Sequence, residues 1–230
     1  MKRWNLERII LYSHDNRSHS VDLIPGSVNI ITGDSNTGKT ALAEIIDYCL
    51  GSSRCNIPDF VKLRCAWVAT LWMRDATRIF LARRVPDLYR QTTSDYCLYT
   101  GTEVAAPSRT EQLTSNTNNG GLRRFEEMLG MGEVRGETLG ASTRTAKRIS
   151  LRNAMAFLFQ TADIIINPSV LLRGTQDQQR YNTIDAFPYF LGVVDEDSAA
   201  REGKLRRLRR ELRRLEREQK EAEALADRYS

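Results

Sequence analysis

The first part of the chain alternates apolar and polar residues in a pattern that predicts three strands. Residues 4–12 and 18–24 are predicted to form a hairpin around the polar turn at residues 14–17, and Pro25-Gly26 ends it. Residues 28–32 (Val-Asn-Ile-Ile-Thr) form a short β-branched run that is typical of a buried strand. We therefore expect a hairpin, a turn and then a buried strand.

A helical pattern follows this predicted strand. Between residues 40 and 50 the apolar residues recur at intervals of three and four, which places them on one helical face. This predicted face consists of Leu42, Ile45, Ile46, Cys49 and Leu50. Gly51 directly after it is a suitable helix terminator, because glycine adopts the left-handed conformation that ends many helices.

The middle of the chain predicts more strands and two short helices. The predicted strands are residues 65–73, 77–85 and 96–100, and the predicted helices are residues 122–129 and 150–159, the second capped by Ser150. Residues 107–121 are rich in Ser, Thr, Asn and Gly and are predicted to form a surface loop. Residues 130–148 carry several basic side chains, which fits either a solvated connector or a loop facing DNA.

The last part of the chain has a heptad pattern. Leucines alternate in steps of three and four at Leu205, Leu208, Leu212 and Leu215, and residues 219, 222, 226 and 229 continue the register. Eight basic and two acidic residues lie between residues 204 and 217. The pattern predicts the start of a coiled coil, and the alternative is a single amphipathic surface helix.

Residues 33–40 (Gly-Asp-Ser-Asn-Thr-Gly-Lys-Thr) match the pattern of a phosphate-binding loop, between the predicted buried strand and the predicted helix. Backbone N–H groups of such a loop bind phosphate oxygens, and the N-terminus of the next helix adds a positive dipole end. Lys39 is long enough to reach the β- and γ-phosphates, and the Thr40 hydroxyl can ligate Mg²⁺. The alternative is a simple polar turn between a strand and a helix.

A second candidate site residue is Gln160, a polar side chain where the apolar helix of residues 150–159 is predicted to end. Its amide can hydrogen-bond a carbonyl in the core, or it can reach a metal ion bound to a nucleotide. The residues themselves leave both possibilities open.

Composition narrows the class of protein. A formal net charge of +5 is compatible with nucleic-acid binding but is also ordinary for a protein without it. The apolar runs are shorter than the roughly 20 residues that span a bilayer, and the N-terminus does not have the pattern of a signal peptide. Four cysteines without Cys-x-x-Cys spacing predict free thiols rather than a zinc site. We therefore expect a cytoplasmic protein without a membrane segment.

Together these features resemble the N-terminal half of an SMC-like ABC ATPase of the SbcC and RecN type. The shared order is a hairpin, a strand, the phosphate loop, a helix, further strands, a glutamine loop and a departing coiled coil. Residues 16–20 (Asn-Arg-Ser-His-Ser) are similar to the hairpin of SbcC-type proteins. Residues 29–40, 46–51 and 188–192 also resemble a bacterial family of SMC-like ATPases from three-component conflict or defence loci.

The resemblance implies a fold and a set of ligands. It implies an α/β P-loop NTPase head with a mixed sheet over residues 1–194, and the start of a coiled-coil arm over residues 195–230. ATP and Mg²⁺ would bind at the loop, Gln160 would contact Mg²⁺ and the attacking water, and Arg17 would lie near the phosphates or the adenine. The expected nucleotide-binding residues are Gly33, Asp34, Ser35, Asn36, Thr37, Gly38, Lys39, Thr40, Ala41 and Arg17.

The resemblance also implies partners: a second ATPase head in an ATP-sandwiched homodimer, DNA, and other proteins of the same locus. The family's Ser-Gly-Gly signature and its apolar strand ending in Asp-Glu do not occur in this sequence. We therefore expect a fragment or a truncated product, with ATP hydrolysis only when a C-terminal half completes the site. The function expected is ATP-driven head dimerisation on DNA, in repair or in defence against phages and plasmids.

Two other classes of function share the phosphate loop. A small-molecule or nucleotide kinase would use it to transfer a phosphoryl group, but the hairpin before the loop and the heptad tail are not typical of kinases. A non-catalytic scaffold would only bind the nucleotide.

Overall fold

The structure is a computed structural model, and it describes most of the N-terminal half of the chain and several shorter stretches after it. The described residues are 3–34, 38–87, 89–117, 120–131, 149–160, 162–169, 172, 179–192, 204–205, 208–209 and 211–219. The chain divides into two compact units, Met1–Met131 and Gly132–Ser230. The predicted domain boundary between residues 194 and 195 and most of the predicted basic loop at residues 130–148 lie outside the described residues.

A five-stranded antiparallel sheet forms the centre of the N-terminal unit, which makes the fold α/β. Its strands are β1 (Asn5–Ser13), β2 (Ser18–Asp22), β3 (Cys65–Arg74), β4 (Thr77–Arg84) and β5 (Tyr96–Gly101). They lie in the order β2-β1-β3-β4-β5, and every neighbouring pair is antiparallel. The five strands predicted at these places from alternation are confirmed, including the hairpin of β1 and β2.

Helices flank this sheet and make up much of the described C-terminal unit. The N-terminal unit contains α1 (Lys39–Cys49), α2 (Asp59–Lys62) and α3 (Gly121–Met128), and a 3₁₀ turn at Thr110–Gln112. The C-terminal unit contains α4 (Leu151–Leu158), α5 (Ala162–Ile165) and α6 (Gln179–Phe190). The predicted helices that correspond to α1, α3 and α4 are confirmed, with Ser150 as the N-cap of α4.

The strand predicted at residues 28–32 is wrong, and so is the mixed sheet. These residues form no strand, and Val28 and Ile30 are 88% and 82% exposed. The side chain of Asn29 bonds back to Ile24, accepting from its N–H at 2.8 Å and donating to its carbonyl at 3.0 Å. A strand needs a neighbour for its backbone and a surface for its apolar side chains. No pairing of residues 28–32 with a strand is found among the described residues, and all pairings of the sheet are antiparallel.

Helix α1 lies on one face of the sheet, against β3 and β4. Its buried apolar residues are Ala41, Ile45, Tyr48 and Cys49, followed by Leu50, while Leu42 and Ile46 are only half-buried. Three residues of the predicted face, Ile45, Cys49 and Leu50, are fully buried, and Ala41 and Tyr48 are buried beside them. Gly51 ends the helix with φ 91°, as predicted.

The other face of the sheet is covered by the segment predicted to be a surface loop. Leu113 joins the buried cluster formed by Ile10, Tyr12, Trp67, Ala69, Leu71, Phe80, Ala82 and Cys97. The side chain of Asn116 accepts from the N–H of Leu98 and donates to its carbonyl, both at 2.9 Å. Residues 107–117 therefore cover one sheet face and pair with the outer edge of β5, which protects it from other strands.

Arg83 of β4 joins the C-terminal end of α1 to the sheet. Its side chain is buried, with 5% exposure, and its guanidinium lies over the rings of Tyr48 and Tyr96, at 4.1 and 5.0 Å. It donates to the carbonyls of Tyr48 (2.7 Å), Ser52 (2.9 Å) and Thr93 (2.7 Å). Since the last carbonyls of a helix lack intrahelical partners and carry partial negative charge, a buried cation at this point satisfies and stabilises them.

We predict that Arg83→Met lowers the free energy of unfolding by about 3 kcal/mol or more, because several buried carbonyls lose a charged donor. The neighbouring Arg84→Met is the matched control, since the Arg84 side chain is mostly exposed and lies 4.0 Å from Asp95. It should change stability by less than about 0.5 kcal/mol. Urea unfolding of both variants measures this difference, and equal stabilities would show that α1 is not held by Arg83.

Candidate functional site

The candidate phosphate loop lies at the N-terminal end of α1. Gly33, Asp34 and Gly38–Ala41 belong to the described residues, while Ser35, Asn36 and Thr37 lie outside them. Ala41 is buried and fixes the first turn of the helix in the core. Lys39 and Thr40 are the first two residues of α1, and the Thr40 side chain is exposed.

The Lys39 side chain contacts the first two residues of the candidate loop. Its ammonium group donates hydrogen bonds to the carbonyl of Gly33 at 2.7 Å and to the carbonyl of Asp34 at 2.5 Å. An ammonium group has three donors and no acceptor, so carbonyl oxygens and phosphate oxygens are equivalent kinds of partner for it. The lysine predicted to bind phosphate therefore lies over the segment that would wrap around a polyphosphate.

Among the described residues, no side chain caps the N-terminus of α1, and its first turn contains no acidic residue. Gly38 is the N-cap residue. The first N–H groups of a helix need partners from outside the helix, and an anion is a favourable one. Gly38 has φ 87°, a left-handed conformation that favours glycine, although an added Cβ would meet no atom within 4 Å. At Gly38 the backbone conformation therefore favours glycine, whereas the packing does not.

Arg17 lies in the turn between β1 and β2, where it is paired with an acidic neighbour. Its Nε donates to Asp15 at 2.8 Å, and its side chain is 83% exposed. The Ser13 hydroxyl and then the Arg17 guanidinium lower the pKa of the Asp15 carboxyl. The turn itself is anchored, since Thr110 donates to the carbonyl of Ser13 at 2.7 Å. A place for Arg17 near phosphates or adenine stays a prediction.

Gln160 belongs to the other unit, just after α4. That helix packs on α6 through aromatic rings, with ring centroids of Phe157 5.2 Å from Phe187 and 5.9 Å from Phe190. The Gln160 amide nitrogen donates to the carbonyl of Ala156 at 2.6 Å. Since that carbonyl can only accept, the bond fixes the orientation of the amide.

The oxygen of the Gln160 amide has no hydrogen-bond partner among the described residues. The Oε1 of Gln160 is buried and makes no hydrogen bond within the described part of the chain. Buried acceptors usually have partners, so an exception is a candidate for a ligand, an ion or a water. The bond from the Gln160 nitrogen to a helix carbonyl is the structural possibility that the sequence left open, and contact of the oxygen with a nucleotide-bound metal ion stays a prediction.

The cysteines do not add a reactive or metal-binding group. All four are buried and form no disulfide. Burial raises the pKa of the Cys49 thiol to about 12, which keeps it protonated and unreactive near neutral pH. Within the described ranges, no group of three or more His, Cys, Asp and Glu side chains could hold a metal ion.

Sequence reasoning missed two residues that shape the site. Arg83 could have been noticed, because it falls on the same strand face as the buried Ile79 and Leu81, where a charged residue is unusual. Asn29 gave no signal, since an asparagine inside a β-branched run does not show that its side chain will bond the backbone five residues earlier.

No family model, no curated protein and no solved structure matches this chain. None of the helices in the described ranges has both the length and the apolar character needed to cross a bilayer.

We predict that Gln160→Ala changes the free energy of unfolding by less than about 1 kcal/mol, because the lost hydrogen bond is offset by removal of a buried oxygen without a partner. Asn153→Ala is the comparison, since the Asn153 carbonyl oxygen accepts from the N–H of the N-cap Ser150 at 2.9 Å. Its loss should lower stability by about 1 kcal/mol. Denaturant unfolding tests both variants, and a loss above about 2 kcal/mol for Gln160→Ala would indicate a purely structural role.

Proposed function

We propose that this chain is the ATP-binding N-terminal half of an SMC-like ATPase and that Mg·ATP binds at residues 33–41. The observation that carries the proposal is the N-terminus of α1, where an uncapped first turn, a left-handed Gly38 and the Lys39 ammonium group meet. These features fit a bound polyphosphate better than a simple turn. The first N–H groups of the helix and the ammonium group can donate to an anion, and the glycine lets the backbone come close to it.

On binding, Lys39 exchanges its two carbonyl partners for oxygens of the β- and γ-phosphates. The loop N–H groups and the first turn of α1 surround the phosphates, and the exposed Thr40 hydroxyl ligates Mg²⁺. In this exchange the ammonium group replaces bonds to neutral carbonyl oxygens by bonds to anionic phosphate oxygens, so both partners are then charged. Arg83 holds the other end of the same helix and so keeps the first turn in place.

A separate proposal, which rests on the resemblance, concerns Gln160. Its amide nitrogen is engaged by Ala156, which leaves the oxygen as the available atom. An amide oxygen is a suitable ligand for Mg²⁺ and a suitable acceptor for an attacking water. In the proposed ATPase, Gln160 orients that water when ATP is bound.

Hydrolysis needs groups that this sequence does not contain. The acidic strand end that would activate water and the signature motif that would close on ATP are supplied by a further segment or a partner chain. Two heads then close on ATP and act on DNA, in repair or in defence.

We predict that Lys39→Ala weakens Mg·ATP binding at least about tenfold and leaves the fold intact, because one charged contact to the phosphates is lost. Isothermal titration calorimetry measures the affinity, and circular dichroism checks the fold. Lys62→Ala, which removes a lysine that pairs with Asp59 in α2, is the matched control and should bind as the native chain does. Native affinity in Lys39→Ala would refute the site.

We also predict that the 230-residue chain binds Mg·ATP but releases phosphate no faster than Lys39→Ala does. The reason is the absence of an acidic strand end and of a signature motif from the sequence. A phosphate-release assay compares the two proteins. Lysine-dependent hydrolysis by the chain would show that its site is complete, and phosphate transfer only to an added small-molecule acceptor would support the kinase alternative.

A further inference from the structure

Residues 23–32 lead from β2 to the candidate phosphate loop and lie outside the sheet. Most of their apolar side chains are exposed, with Ile24 at 67%, Val28 at 88% and Ile30 at 82%. Burial contributes little to the conformation of this segment, since hydrophobic stabilisation scales with the apolar area removed from water. Its conformation therefore depends mainly on hydrogen bonds.

The Asn29 side chain closes residues 24–29 into a ring. Its Oδ1 accepts from the N–H of Ile24 at 2.8 Å, and its Nδ2 donates to the carbonyls of Ile24 at 3.0 Å and of Ser27 at 3.1 Å. One amide thus pairs both backbone groups of Ile24, as a neighbouring strand would pair them. The chain turns inside the ring at Gly26, whose φ of 74° favours glycine.

This ring and the Lys39 side chain hold the two ends of the segment. Directly before the ring, the N–H of Leu23 donates to the carbonyl of Glu7 in β1 at 2.9 Å, which joins the ring to the sheet. At the other end, Lys39 donates to the carbonyls of the first two loop residues. In the proposed function, Lys39 gives up these two bonds when phosphates bind. The bonds of Asn29 do not involve Lys39, so they hold the segment both before and after a nucleotide binds.

We propose that Asn29 is a positioning residue of the nucleotide site. Its amide orders residues 24–29 in the free chain, which places the first residues of the phosphate loop before the phosphates arrive. Without these bonds the segment has more conformations to lose when a nucleotide binds, and this loss of entropy lowers the affinity. The inference rests on the proposed function, because it concerns the same site, and it adds a residue that acts through the loop backbone.

Asn116 provides a matched control, because its amide makes the same pair of bonds elsewhere in the unit. It accepts from the N–H of Leu98 and donates to the carbonyl of Leu98, both at 2.9 Å. These bonds are partly buried and hold the segment that covers one sheet face, whereas the bonds of Asn29 are exposed. Asn116→Ala should therefore lower the urea midpoint of unfolding and leave the affinity for Mg·ATP unchanged. Asn29→Ala should do the reverse.

Titration calorimetry of the full 230-residue chain measures its affinity for Mg·ATP and for magnesium tripolyphosphate. We expect Asn29→Ala to weaken the binding of both ligands by the same factor, about fivefold or more, with an unchanged unfolding midpoint. The factors should be equal because Asn29 acts on the phosphate loop and not on the base. Weaker binding of Mg·ATP alone would show that Asn29 contacts the nucleoside and would overturn the proposal, as would native affinity for both ligands.

A measurement without nucleotide separates this inference from the proposed function. Hydrogen exchange of the Ile24 amide should be about tenfold faster in Asn29→Ala than in the native chain, because the N–H loses its acceptor. Equal exchange rates would overturn the positioning role whatever the chain binds. If the native chain binds neither ligand, the proposed function fails and the positioning role fails with it. If the native chain binds both ligands and Asn29→Ala binds them as tightly, the positioning role alone fails.

Discussion

The buried hydrogen bonds of Arg83 are the constraint on which the N-terminal unit depends. One guanidinium satisfies carbonyls at the end of α1, after that end, and in the segment before β5, and it packs against two tyrosine rings. Burying a charge is unfavourable unless its donors are satisfied. The Arg83 side chain therefore constrains the positions of these carbonyls and of the two tyrosine rings. Arg83 thereby holds the C-terminal end of α1 against the sheet, and the candidate phosphate loop lies at the opposite, N-terminal end of this helix.

The two ends of α1 have opposite chemistry. At the C-terminal end the carbonyls are satisfied by a buried cation, whereas at the N-terminal end no side chain of the described residues caps the first turn. Lys39 and Asn29 each donate to backbone carbonyls of the segment from residue 24 to residue 34, which holds this segment locally. That segment stays exposed and outside the sheet. It is the part of the unit that a nucleotide or a neighbouring strand would change most.

The five strands could be predicted from the sequence because their apolar residues are concentrated in short runs, and the helix after the loop could be predicted because its apolar residues recur at helical spacing. The same reasoning failed at residues 28–32, where apolar character was taken as burial although burial also needs a neighbour. It failed at residues 107–117 for the opposite reason. Their polar composition indicated an exposed loop, but Leu113 fills the core and Asn116 pairs with a strand edge. The sequence singled out Lys39 and Gln160 as candidates, whose roles stay predictions, but it could not reveal which carbonyls their side chains bind.

Hydrogen exchange of backbone amides with and without Mg·ATP tests the central claim most directly, because it locates the ligand on the chain. The account predicts slower exchange concentrated at residues 33–41, where loop and helix N–H groups acquire phosphate partners, with little change in β3 and β4. Protection elsewhere without any at residues 33–41, or no protection at saturating Mg·ATP, would contradict it.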